Sequence, residues 1–152
     1  AGMNHYFNFP VLSSMGFEFS FGFAAQTSIV ELILVMTNTT QVFTARIRYD
    51  DVNDQLTYRD AAGVDIVVAS GLMLAKLPEL FHTMKLVIDA VTRTYRYVIL
   101  DNVTYDLDGA PINTVVGGAA AVGGMGVYNY SRAGFNDLVY VDDVIITQNE
   151  PV

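Results

Sequence analysis

The chain reads as an all-β protein, an antiparallel β-sandwich forming one domain, on three observations. Phe17 to Phe23, FEFSFGF, alternates four phenylalanines with Glu18, Ser20 and Gly22, the period-two pattern of a strand with one face in a core. Met84, Leu86 and Ile88 alternate in the same way with Lys85, Val87 and Asp89. Thr92, Arg93 and Thr94 then interrupt, and Tyr95 to Leu100 resumes in β-branched and aromatic residues as far as Asp101-Asn102, a pair that tolerates the positive φ of a tight hairpin. Helical periodicity is confined to one turn in Leu72 to Phe81, LAKLPELF, which Pro78 keeps short.

The remaining elements follow in order. His5 to Phe9 either adds an edge strand or meets another subunit, and residues 1–16 form an N-terminal segment in which Ala1-Gly2 before Met3 resembles a cloning remnant. Ile29 to Met36 is apolar on both faces, as a buried central strand should be. In Val42 to Tyr49 the residues Phe43, Ala45, Ile47 and Tyr49 turn inward, while Thr44, Arg46 and Arg48 turn outward. Asp50, Asp51, Asn53 and Asp54 make a polar turn before a strand around Leu56 to Arg59. A turn at Ala61 to Gly63 leads to Val64 to Ala69. Val103 to Leu107, a turn at Asp108-Gly109, the connection VVGGAAAVGGMG, Gly126 to Tyr130 and Leu138 to Thr147 complete a meander with short connections.

Composition bounds the function. At 152 residues the chain buries enough surface to stand as one domain without staples, and with no cysteine it has no disulfide, thiolate zinc site or cysteine nucleophile. Sixteen acidic against eight basic residues leave a formal charge of −8, which repels phosphate backbones and argues against nucleic acid as a partner. Charged residues are only 16% of the chain, against roughly 25% in an average domain. Part of its apolar surface is therefore expected to be covered by another copy, in a homo-oligomer, or by a neighbouring domain. No apolar run reaches the roughly 20 residues of a membrane helix, so membrane insertion is not expected.

Placed in order, these strands resemble the concanavalin A-like lectin and glucanase superfamily, in particular its laminin-G-like jelly rolls. Two segments carry the resemblance. Phe81-His82-Thr83-Met84-Lys85-Leu86-Val87-Ile88-Asp89 is similar to that group's Trp-His strand, although phenylalanine stands where tryptophan is usual. Val141-Asp142-Asp143-Val144-Ile145-Ile146 is similar to its closing strand. The resemblance implies a jelly roll, favours an extracellular or cell-surface setting, and raises a structural calcium as a cofactor. Asp142 and Asp143 are the candidate ligands, because consecutive strand residues point to opposite faces and one of the two would meet the core side or an edge.

The superfamily's glucanases use a Glu-x-Asp-x-x-Glu strand, which is absent here. A hydrolase would have to draw on Glu18 or Glu31 converging across adjacent strands, and the plainer reading is a solvent-facing Glu18 with a paired, interior Glu31. His82 reads as a hydrogen-bonded structural histidine. The favoured reading is a non-catalytic carbohydrate-binding module. Tyr58, Tyr128 and Tyr130 lie near turns where a ring can stack on a sugar, and Arg46, Arg48 and Arg59 add planar donors on outward faces. The alternative is a structural, self-associating domain. Asn38, Asn102 and Asn129 open Asn-x-Ser/Thr sequons, about as many as chance supplies, and they matter only in a secreted eukaryotic protein.

Overall fold

A computed structural model describes residues 2–7, 13–23, 29–37, 40–77, 79–107, 109–117 and 122–151. All regular structure in these residues is strand. The strands are β1 (Gly2–Phe7), β2 (Ser14–Gly22), β3 (Ile29–Thr37), β4 (Gln41–Asp50), β5 (Gln55–Arg59) and β6 (Asp65–Ser70), then β7 (His82–Asp89), β8 (Thr94–Leu100), β9 (Val103–Asp106), β10 (Asn113–Val116), β11 (Val122–Tyr130) and β12 (Tyr140–Gln148). Seven of them make one sheet, ordered β1-β11-β3-β4-β5-β6 with β10 also pairing β4. The other five make a second sheet, ordered β12-β2-β7-β8-β9. The chain changes sheet between β1 and β2, β2 and β3, β6 and β7, β9 and β10, and β11 and β12. This is an all-β, antiparallel two-sheet sandwich.

The core lies between the sheets and is built by the alternation read in the sequence. Phe17, Phe19, Phe21 and Phe23 are fully buried, facing Val30, Leu32 and Leu34 of β3 and Ala45, Ile47 and Tyr49 of β4 in the opposite sheet. Met84, Leu86 and Ile88 of β7 and Tyr95 and Val98 of β8 extend the same layer. Fully burying each large side chain contributes about 1.5–3 kcal/mol, so this interdigitated layer is the main favourable contribution to the fold.

Turn aspartates close several connections. Asp50 Oδ1 accepts the N–H groups of Val52 and Asn53, and Asp89 Oδ1 accepts those of Val91 and Thr92, the Asx geometry that favours aspartate at turns. At the two-residue turn joining Leu100 to Val103, Asp101 takes φ 52°. His82 is buried beside the stacked Phe21 and Phe23 rings, its Nδ1 2.9 Å from Asp101 Oδ2 and its Nε2 3.0 Å from the Ala75 carbonyl. It is the structural histidine that the sequence suggested.

The structure corrects two local expectations. The described residues of the segment read as a helical turn are not helical: residues 71–77 are irregular, and Leu80 N–H donates to the Leu77 carbonyl. Three contacts hold the segment in place, from the Tyr49 hydroxyl to the Leu72 carbonyl, from Lys76 to Asp51 and from His82 to the Ala75 carbonyl, and these replace helical hydrogen bonding. Both ends of the glycine-rich passage are strand, not connection, since Val115 and Val116 lie in β10 and Gly123 and Gly124 lie in β11 between β1 and β3.

Candidate functional site

Register decides which side chains share a face. Glu31 of β3 stands directly opposite Arg48 of β4 on one side and Tyr128 of β11 on the other, and Arg48 stands opposite Thr57 of β5. Residues two apart on a strand share a face. Arg46 therefore joins Arg48, Arg59 joins Thr57, and Tyr130 joins Tyr128. Asp65 of β6 pairs with Arg59. Five of the six residues read from the sequence as ligand-binding, namely Arg46, Arg48, Arg59, Tyr128 and Tyr130, thus lie on the outer face of the seven-stranded sheet.

Glu31 organises that face. Its Oε2 accepts from Arg48 Nε at 2.9 Å and Nη2 at 2.6 Å, and lies 3.4 Å from Arg46 Nη1. Its Oε1 accepts from the Tyr130 hydroxyl at 3.2 Å. The glutamate is 0% exposed, and a carboxylate so enclosed persists only because two guanidiniums and a hydroxyl saturate it. Asp65 completes the array, with Oδ1 accepting from Arg46 Nη2 and Oδ2 from Arg48 Nη1. Burial, reinforced by the Glu31 charge and the hydrogen bond to it, raises the Tyr130 hydroxyl's pKa above its ordinary value. That hydroxyl stays a neutral donor.

At the edge of the array, Arg59 Nε donates to the Gly63 carbonyl at 3.0 Å. Gly63, at φ 82°, closes the turn from Asp60 to Val64, a conformation that favours glycine. Beneath Arg48, the Thr57 hydroxyl is buried with no hydrogen-bond partner among the described residues. Tyr130 keeps 44% of its surface exposed, and Tyr128 is half-buried with its ring against the backbone of Gly2.

Beyond β11, Arg132 Nε and Nη2 donate to the Asp137 carboxylate at 3.1 and 2.8 Å while its guanidinium covers the Phe135 ring at 4.2 Å. Asn129 Nδ2 donates to the Asp137 carbonyl at 2.9 Å. This braced loop holds Phe135, 58% exposed, at the end of the strand that carries the two tyrosines. Sequence reasoning missed Phe135, Asp65 and the organising role of Glu31. An Arg-x-Gly-Phe-x-Asp run from Arg132 to Asp137 was the one local signal available, whereas Asp65 gave none, because its partners lie on another strand.

Tyr58 does not join the group. It stands opposite Ile47 on the core side of β5, edge-on to Tyr95 with ring centroids 5.1 Å apart. There it lines a separate cleft of about 620 Å³ with Val67, Val68, Leu107 and Ala110. Of the two placements expected for Asp142 or Asp143, the core side or an edge, neither residue takes the first, and both lie on the edge strand β12. A bulge between Asp142 and Ile145, with Asp143 at φ 49°, breaks the alternation and leaves both side chains exposed. Among the described residues no group of three or more histidines, cysteines or carboxylates is placed to hold a metal ion.

Glu18 and Glu31 do not converge. Their strands belong to different sheets, and Glu18 pairs across β2 and β7 with Lys85. Of the sequons, Asn102 sits exposed at the β8–β9 turn and Asn129 is engaged with Asp137. Asn38 lies outside the described residues, as does Asp108 of the acidic turn.

No protein-family model and no curated protein matches the chain. Among solved structures it is similar to an alginate lyase from Alteromonas sp. 272, with a TM-score of 0.46 and 9% identity over 92% of this chain and 73% of that one. It is also similar to a tetrameric galectin from the ball sponge Cinachyrella sp., with a TM-score of 0.43 and 8% identity over 96% of this chain and 99% of the other.

Proposed function

We propose that the protein is a non-catalytic carbohydrate-binding module of laminin-G-like type, and that the outer face of its seven-stranded sheet is the binding surface. One observation carries the reading: Arg46, Arg48 and Tyr130, from two strands, are locked around the buried Glu31 with a tyrosine ring left exposed beside them. Saccharides are recognised by a ring face stacked on an aromatic side chain and by hydroxyls paired with planar groups whose orientation is set in advance. Both elements stand on this face. A glycan array probed with the wild-type chain and with Tyr130→Ala tests the reading. Retention by the wild type and its loss in a folded Tyr130→Ala variant support it, and equal retention by both would sink it.

A second reading, self-association, is favoured by a different region. Phe135, Leu138, Tyr140, Val141, Val144 and Ile145 are all exposed along one stretch of chain ending on β12, an edge strand of the five-stranded sheet. An apolar run of this length on an edge is a common site of contact between subunits.

A further inference from the structure

We infer that Asp65 is the specificity-determining residue of the arginine face: it fills a two-guanidinium carboxylate receptor as a built-in ligand and thereby reserves the face for uncharged saccharides. The inference rests on the carbohydrate-binding reading above.

Arg46 and Arg48 stand two residues apart on β4 with both guanidiniums on one face. Each presents a rigid fork of N–H donors that matches a carboxylate or a sulfate ester. Glu31 engages one side of the pair, through Arg48 Nε and Nη2 and Arg46 Nη1. The remaining terminal nitrogens, Arg46 Nη2 and Arg48 Nη1, converge on the two oxygens of one further carboxylate, that of Asp65. The two acids are not equivalent. Glu31 is wholly enclosed on a central strand, whereas the Asp65 side chain is 33% exposed and opens the edge strand β6. Asp65 is thus the one of the two that an external anion could replace.

Charge gives the consequence. Two arginines against Glu31 alone leave one positive charge, and Asp65 brings the four groups to neutrality. An acidic sugar approaching a chain of net charge −8 therefore meets no net attraction from these four groups, and it has to displace Asp65 before it reaches the converging nitrogens Arg46 Nη2 and Arg48 Nη1. A neutral saccharide has no such requirement, since its hydroxyls both donate and accept at the rim of the array.

The test uses the whole chain, with Asp65→Asn and Asp65→Ser checked for folding by thermal melting. Two variants are used so that misfolding of one leaves the other to report. Inorganic sulfate alone is titrated while the arginine Nε–H signals are followed by NMR, and glucuronate-bearing oligosaccharides are compared with uncharged ones by calorimetry. The expected result is saturable sulfate binding at least roughly tenfold tighter in the variants than in the wild type, with glucuronides bound by the variants only. Wild-type chain that binds sulfate or glucuronides as tightly as the variants would overturn the inference, and so would folded variants that gain neither. Gain of sulfate binding with no saccharide of either kind retained would support Asp65 as occupant of the receptor and overturn the carbohydrate reading, so the two failures are distinguishable.

Discussion

The Tyr95 hydroxyl accepts the Arg46 backbone N–H at 2.9 Å and donates to the Arg59 carbonyl at 2.8 Å. Tyr95 belongs to β8 in the five-stranded sheet, and its hydroxyl bridges β4 and β5 of the other sheet just past Ile47–Tyr58, the last pair of their ladder. A buried core residue therefore spaces the two strands whose outer faces carry Arg46, Arg48 and Arg59. Burial raises the pKa of this hydroxyl above the ordinary tyrosine value, despite the nearby arginines, so it remains a donor throughout the working pH range.

Tyr95→Phe keeps the ring and strands one buried N–H and one carbonyl. Loss of such a bridge costs about 1–3 kcal/mol, and urea unfolding should show a lower midpoint with an unchanged slope. A loss below about 0.5 kcal/mol, the range of an ordinary surface change, would show that the bridge is not structural.

Glu31→Gln removes the charge that Arg48 and Arg46 share on the buried side. Breaking one member of a buried ion pair costs about 3–5 kcal/mol because the partners stay enclosed. Asp65, still facing both arginines, should hold the loss near the lower end. Denaturant unfolding measures it, and a neutral result would mean that Asp65 alone suffices to balance the pair.

Acid should destabilise the protein through Asp89 and Glu150. Desolvation raises the pKa of Asp89, yet the N–H groups of Thr92 and Val91 and the Arg96 guanidinium outweigh it and hold the carboxyl below its usual range. Desolvation likewise opposes the lowering at Glu150, where Lys85 and Thr147 prevail. A carboxylate depressed in the folded state contributes stability above its unfolded pKa, about 3.9 for Asp and 4.3 for Glu. It loses that contribution as pH falls through the folded value. The melting temperature should therefore hold above about pH 5 and fall below about pH 4, and Asp89→Asn should flatten the fall. An identical acid limb in wild type and variant would count against this assignment.

Tyr58→Ala should lower stability, through loss of its packing on Tyr95, and leave glycan retention intact, whereas Tyr130→Ala should abolish retention in a chain that still folds, at the cost of its one hydrogen bond to Glu31. Parallel melting curves and array binding separate the two. Loss of binding in Tyr58→Ala with retention in Tyr130→Ala would place the ligand in the Tyr58 cleft instead.

If the exposed stretch on β12 is a contact between copies, Ile145→Lys should lower the molar mass seen by light scattering at high concentration. Glycan retention should remain unchanged. A wild-type chain that is monomeric at every concentration would dispose of the self-association reading.

Period-two alternation in the sequence determined the inward phenylalanines of β2, the inward face of β7 and the in-and-out pattern of Val42 to Tyr49, because side-chain direction along a strand depends only on local geometry. It also placed Arg46, Arg48 and Arg59 outward, and it left Glu31 as an interior glutamate in need of a partner. Tertiary structure decided what these residues meet. Which strands lie side by side is settled by pairing between distant segments, so only register could set Glu31 between Arg48 and Tyr128 and bring Asp65 to both arginines. The same non-local pairing turned Tyr58 toward Tyr95, and a bulge, invisible to alternation, kept Asp142 and Asp143 outside.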